Sequence, residues 1–581
     1  MSLLWKYFKR FLRFKRPLFA GFACVALAQL MDVLVTVMIG NAITDLVAGG
    51  NSDFMPRLIM LLLAYAVGHS IFRFFQRWLI VVVSRRFEVQ LKQELFDKLT
   101  SLPFSFHNKS RSGDVVSRLT SDVENLRMFL GPGLMYTLGA MVIVPFSLWV
   151  LFQINPWIAG AMILPMLLMA IAMKAFTPTL HKHSTSVQES LADISHRAQE
   201  NFAGIRIVKG YSREDQQAER FGATSEENRH NQVLLAHSRG LTHAAVNGAF
   251  DLTFVVILLI GGLAAIDHTL AIGDLFKFID LTIKVFWPLI ALGWIAGMYP
   301  RAMASAERVT ELLDQESDIQ SPPQPVVLPK VRGELELAGV GFTYEGASES
   351  ALTGINVKVP AGTTLGVVGP TGCGKTTMLN LLGRLFEAEG TIALDGVPVA
   401  DLALDQLRST LGYVPQDSFL FSEPYEANIR FGADEEIGDD DVAHLIERAS
   451  MTEEVANFPD GVNQLIGERG VTLSGGQRQR TCIARALARD PRVLILDDCL
   501  SAVDTETEKE LLGNLREDGV GRTVVVAAHR LSTVKSAEQI LVLTADGKVE
   551  CLGTHKELLE REGWYRRTWR QQQELEELSD L

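Results

Sequence analysis

Charge is scarce in this sequence and cysteine scarcer. Asp, Glu, Lys and Arg make up 21% of 581 residues against 48% hydrophobic ones. The apolar residues crowd into the first half, which excludes one uniformly soluble domain and points to a membrane-embedded portion followed by a soluble one. The length alone exceeds the roughly 250 to 300 residues at which a single core stops growing. Cys24, Cys373, Cys482, Cys499 and Cys551 have neither metal-ligand nor disulfide-framework spacing; they read as ordinary core or loop residues in a reducing compartment. The net charge of −13 speaks against nucleic acid as a partner.

The start, "MSLLWKYFKRFLRFKRP", has no acidic residue, and the apolar run behind it, Leu18 to Gly40, lacks a small-residue cleavage site and is long enough to span a bilayer. This reads as an interfacial amphipathic helix leading into a retained membrane helix. Apolar stretches occur at 18–40, 57–83, 131–152, 156–176, 246–266 and 272–298. The connections at 41–56, 153–155 and 267–271 contain no Lys or Arg, whereas the N-terminus and the connections at 84–130 and 177–245 are rich in both. The positive-inside rule then puts both termini of a six-span protein in the cytoplasm. The two basic connections keep helical periodicity, so spans two to five are expected to continue as helices beyond the bilayer. Several polar residues interrupt the apolar stretches: Gln29, Asp32, His69, Arg73, Gln76, Arg77, Asp251, Asp280 and Lys284. Charge at that depth faces a bundle interior or a water-filled path, or pairs structurally. Asp32, Arg73, Asp251 and Lys284 are the candidate substrate contacts.

After the sixth stretch comes the Pro-rich "SPPQPVVLPKVRG", and from Gly333 the texture is α/β. The expected division is a membrane domain over 1–320, a linker over 321–332 and an α/β P-loop domain over 333–581. "TTLGVVGPTGCGKTTMLNLLGRL" is an apolar strand, a turn fitting G-x-x-x-x-G-K-T and an apolar-periodic helix. In Gly369, Pro370, Thr371, Gly372, Cys373, Gly374, Lys375, Thr376 and Thr377, backbone N–H groups and the helix N-terminus cradle phosphates. Lys375 reaches the β- and γ-phosphates and the Thr376 hydroxyl ligates Mg²⁺. The Cys373 thiol has no assigned role. A P-loop nucleotidase needs a second strand bringing a carboxylate to the Mg²⁺ shell; "VLILDD" supplies Asp497 for it and Asp498 beside the attacking water.

Between these motifs lies "LSGGQRQR", and the chain resembles the ATP-binding cassette exporters over essentially its whole length. The resemblance matches Gln416 in "GYVPQD" to the Q-loop glutamine near the metal and "GERG" at 467–470 to a family loop. Ser474, Gly475, Gly476 and Gln477 fall in the signature, Asp504 ends the D-loop, His529 in "AAHRL" is the switch histidine and Tyr344 is the aromatic that stacks on adenine. It implies ATP and Mg²⁺ as cofactors, catalytic roles for Asp498, His529 and Gln416, and coupling helices in 106–126 and 190–214. It further implies a second half-transporter as partner, because each ATP lies between the Walker A of one cassette and the signature of the other, and a small amphipathic substrate (drug, lipid or peptide) taken from a setting of membrane lipids. The family's carboxylate after Walker B is normally glutamate. Asp498 is one methylene shorter, which resembles the degenerate half of bacterial heterodimeric multidrug-type exporters. The alternatives are a homodimeric lipid or peptide exporter and an ATP-gated channel on the same scaffold.

Overall fold

The computed structural model describes residues 3–49, 55–467, 470, 472–517 and 521–579. They divide into two compact units, one of Met1–Thr100 with Ser112–Asp314 and one of Ser101–Arg111 with Gln315–Leu581.

The first unit is all-helical. Among the described residues, six helical segments are long and apolar enough to cross a membrane: Leu3–Val47, Met55–Ser101, Ser112–Ile154, Pro156–Ala203, Glu214–Ile266 and Ile272–Asp314. Their principal helices are α1 (Leu3–Phe11), α2 (Lys15–Val47), α3 (Met55–Ser101), α5 (Leu134–Ile154), α6 (Pro156–Ala203), α8 (Glu214–Val256) and α9 (Ile272–Asp314), with the short α4 (Phe104–Lys109) and α7 (Ile205–Gly210) at the turns. At 1.5 Å per residue the 47-residue α3 is about 70 Å long, over twice the ~30 Å hydrocarbon core, so the basic connections do continue as helix. Local sequence sets the ends. Asn155 caps α6 by accepting from the N–H groups of Trp157 (3.1 Å) and Ile158 (3.2 Å), ahead of Pro156 at the first helical position.

Ion pairs hold the polar extensions together. Asp122 is buried and accepts from Ser305 (2.8 Å) and Arg308 Nε (2.8 Å), and Glu88 pairs with Arg85 (2.8 Å), Lys92 (2.7 Å) and Arg127 (3.5 Å). The opening helix differs in one respect from the interfacial reading. The apolar face of α1 packs on protein: Tyr7 hydrogen-bonds Thr310 (2.8 Å) and Phe11 meets Phe87 edge-on at 5.8 Å, both rings fully buried. Trp5 remains exposed.

The second unit is α/β. β1 (Leu335–Phe342), β2 (Leu352–Val359), β4 (Glu389–Leu394) and β5 (Val397–Pro398) form an antiparallel sheet in the order β2-β1-β4-β5. The larger sheet runs β10 (Val549–Gly553), β9 (Gln539–Leu543), β3 (Thr364–Val368), β8 (Thr523–Ala527), β7 (Val493–Asp497), β6 (Leu411–Val414), parallel except at β10. β7 shows why its sequence is unbrokenly apolar. Leu494 and Leu496 enter the core on one face, Val493 and Ile495 the core on the other, and all five residues are buried.

The excursion Ser101–Arg111 belongs to this unit. Phe104 of α4 packs edge-on against Phe386 (5.7 Å), Phe386 in turn touches Phe342 (5.1 Å) and Tyr344 (5.7 Å), and Lys109 pairs with Glu345. The contact helix thus lies at the start of the expected 106–126 segment; Ser112–Met128 are the first turns of the third span.

Candidate functional site

Three parallel neighbours, β3, β8 and β7, end side by side, and their C-terminal edge is where doubly wound sheets bind ligands. β3 delivers the phosphate loop, β8 delivers His529 and β7 delivers Asp497 and Asp498; beyond them β6 leads to Gln416, which is exposed. Gly374 ends the loop at φ 93°, a left-handed conformation in which a side chain would also strike Ala351 O at 2.6 Å, and α10 (Lys375–Leu382) begins at the next residue. Lys375 is buried, its ammonium donating to the carbonyls of Gly369 (3.0 Å) and Pro370 (3.1 Å). Thr371 and Gly372 lie between, and the Cys373 thiol, 3.9 Å from the ammonium, is pushed up in pKa by burial.

Thr376 Oγ1 donates to Asp497 Oδ1 at 3.1 Å. Asp497 is 2% exposed and its Oδ2 has no hydrogen-bond partner. Burial raises its pKa; the Thr376 bond lowers it, Asp498 raises it, and Lys375 and His529 lower it. A buried, unsatisfied carboxylate oxygen beside a hydroxyl is the donor set a hard divalent cation takes, so these residues fit Mg²⁺.

Asp498 adopts φ 44°, a region that Asp enters more readily than most residues. Its N–H donates to Ala527 O (2.9 Å) and its Oδ1 accepts from the His529 N–H at 3.4 Å, so the carboxylate faces back onto the β8 loop. Tyr344 is partly exposed and hydrogen-bonds Thr377 at 2.9 Å.

The signature forms a capping box at the start of α11 (Gly475–Leu487): Ser474 Oγ accepts from Gln477 N–H (3.2 Å) and Gln477 Oε1 from Ser474 N–H (3.0 Å). A Cβ on Gly476 would lie 2.8 Å from Ala502 O, so this glycine lets the D-loop approach. Gln479 fastens that loop, accepting from Ala502 N–H (3.1 Å) and donating to Ser501 (3.3 Å). This residue lay unremarked within "LSGGQRQR". Asp504, at the loop's end, accepts from Thr507 N–H (2.9 Å), which lowers its pKa. Glu468 and Arg469 of "GERG" lie outside the described residues.

In the membrane unit α2, α3, α5 and α9 wall a cavity of about 1220 Å³. Asp32, Arg73 and Lys284 line it with Gln29, Gln76 and Arg77, together with Trp78, Tyr136, Trp287 and Trp294; Asp251 is exposed on α8 and does not. Asp32 accepts from Tyr65 OH (3.0 Å) and lies 3.2 Å from His69 and 3.7 Å from Arg73. Lys284 pairs with Asp280 (2.8 Å) and donates to Thr36 (2.7 Å) and to Asp32 O (2.8 Å).

Residues 18–289 match the ABC transporter transmembrane region and 352–501 the ABC transporter domain. The chain is 32% identical over 586 residues to the multidrug resistance-like ATP-binding protein MdlA of Escherichia coli, covering 98% of this chain and 96% of that one. The chain belongs to the ABC exporter family. The ATP-dependent lipid A-core flippase of Vibrio vulnificus is 31% identical over 569 residues, 97% of each chain. A bacterial Atm1-family ABC exporter solved with ATP bound superposes with a TM-score of 0.77 at 25% identity, covering 96% of this exporter and 98% of that chain. The exporter is therefore a multi-pass membrane protein whose cassette binds ATP, in a family that couples ATP hydrolysis to transport.

Proposed function

We propose that this exporter moves small amphipathic molecules out of the cytoplasm as one half of a heterodimer. Its own Walker site turns over slowly and its signature completes the faster site of a different half. The observation that carries the ATP chemistry is the unpaired, buried Oδ2 of Asp497 beside Thr376. Mg²⁺ held by Thr376, Asp497 and Gln416 would supply charge neutralisation between the β- and γ-phosphates when bound. Lys375 holds the same phosphates, Tyr344 offers its ring to adenine and His529 reaches the γ-phosphate. Among the described residues no hydrogen bond joins the signature to the phosphate loop, which supports a site completed in trans by Ser474, Gly475, Gly476 and Gln477.

Asp498 carries the asymmetry. Shorter than glutamate and turned toward the His529 N–H, it stands back from the water it must polarise; a misplacement of about 1 Å costs on the order of 10²-fold in rate. The basic connections support a cytoplasmic cassette in an inner membrane. The cavity, with its tryptophans and internally paired charges, suits an amphipathic substrate. The switch histidine His529 is intact, and this favours as second reading a homodimer running slowly on aspartate.

Site-resolved ATP turnover in the assembled transporter separates the two. Asp498→Glu is expected to raise hydrolysis at this chain's Walker site, whereas Ser474→Ala abolishes it at the partner's. If Asp498→Ala stops all turnover, the aspartate is the working base and the slow-site reading fails.

A further inference from the structure

The loop that presents His529 is gripped by the last helix of the chain. Gln572, on α12 (Trp564–Ser579), donates from Nε2 to the His529 carbonyl (3.0 Å) and accepts at Oε1 from the Leu531 N–H (2.9 Å). One amide thus brackets three residues of the loop. The helix is anchored for this task. Tyr565, Trp569 and Gln572 recur at helical spacing along one face: Tyr565 is 1% exposed with its hydroxyl 2.6 Å from His555 Nδ1, and Trp569 packs edge-on against His555 at 4.6 Å. The residue between the bracketed pair is held from the other side, Arg530 donating to Val503 O (3.3 Å) and lying 3.6 Å from Glu508. On the far side of the loop the His529 N–H reaches Asp498 Oδ1.

We infer that Gln572 is a positioning residue for hydrolysis: it fixes the width of the 529–531 loop, and so the place of the His529 ring and of Asp498, from outside the nucleotide site. Half of the bracket has a plain structural use, since Leu531 begins a one-turn helix, Leu531–Val534, whose first N–H groups need acceptors. The other half does not, because the His529 carbonyl precedes that helix. The inference rests on the reading of His529 as a γ-phosphate contact, and the experiment keeps the two apart.

The assembled transporter in lipid nanodiscs, this chain with its partner half, is compared with its Gln572→Ala, Gln572→Glu and His529→Ala variants by amide hydrogen exchange over residues 526–535, by ATP affinity and by single-turnover hydrolysis at this chain's Walker site. Gln572→Ala is expected to speed exchange at Leu531 and to slow hydrolysis by about five- to tenfold, the share of one hydrogen bond, with ATP affinity kept within about twofold. Gln572→Glu retains the acceptor for Leu531 but sets an anion against the His529 carbonyl, so exchange stays slow while hydrolysis falls as far. A residue that merely caps the short helix would leave Gln572→Glu at the wild-type rate, and that result overturns the inference, as does unchanged exchange or hydrolysis in Gln572→Ala, or affinity falling in step with rate. If His529→Ala leaves hydrolysis intact, the reading of the site itself has failed; if only His529→Ala acts, the positioning role alone has.

Discussion

Thr376 Oγ1 lies 3.1 Å from one carboxylate oxygen of Asp497, and the other oxygen of that buried group has no partner. Burial raises the Asp497 pKa, so the folded chain without metal binds its proton more tightly than the unfolded chain does. Stability then falls as pH rises from the unfolded value through the folded one, and the full penalty is present above the folded value. Asp497→Asn is expected to raise the melting temperature of the nucleotide-free exporter by on the order of 2–4 °C and to lose the further rise that Mg-ATP gives the wild type, a pattern thermal-shift curves at pH 7 resolve.

Gly476 admits no side chain without moving the D-loop, since Ala502 O sits 2.8 Å from where the Cβ would be. Gly476→Asp adds a charge as well. Turnover at the partner's site should drop by on the order of 10²-fold while nucleotide trapped at this chain's own Walker A persists, which photolabelling of the two halves distinguishes.

In the membrane cavity Asp32 accepts from Tyr65 and lies within 3.7 Å of His69 and Arg73, while Asp251 is exposed and outside the cavity. Asp32→Asn is expected to destabilise the exporter by about 1–3 kcal/mol. Asp251→Asn should stay within about 0.5 kcal/mol, as unfolding midpoints in nanodiscs will report.

The contact of α4 is chiefly aromatic. Lys109 and Glu345 are 56% and 81% exposed at their side chains, so breaking their pair should cost less than about 1 kcal/mol. Phe104→Ala removes ring surface from Phe386 and should cost about 1–2 kcal/mol. A double-mutant cycle over Phe104 and Phe386, read by thermal unfolding and by substrate-stimulated ATP hydrolysis, measures that coupling.

The six spans and the strand-loop-helix of the phosphate site were legible because each is written locally, as an apolar run of bilayer length or a glycine-bearing turn of fixed spacing. What stayed hidden was pairing at a distance. Gln572 sits in a polar "QQQ" run that reads as a solvated helix face, and nothing near it in sequence points to His529. Asp32 was visible as a buried charge, but its company of Tyr65 and His69 depends on how α2 and α3 cross. Placement of the contact helix at Phe104–Lys109 turned on where the chain breaks, at Ser110 and Arg111, between two stretches of equal helical promise. Asp251 met the same depth criterion as Asp32, yet only packing decides which charges face the cavity.

The segment Ser101–Arg111 shares a compact unit with chain that begins at Gln315. On the ribosome it is therefore made long before its binding surface exists: Phe104 emerges ahead of Phe386 by an interval on the order of tens of seconds at ordinary elongation rates. Throughout that wait the helix Phe104–Lys109 must leave its aromatic side uncovered while four further spans are inserted. A membrane half assembled before its cassette is finished is thus an intermediate with one sticky joint, and a truncation after Asp314 would make that joint permanent.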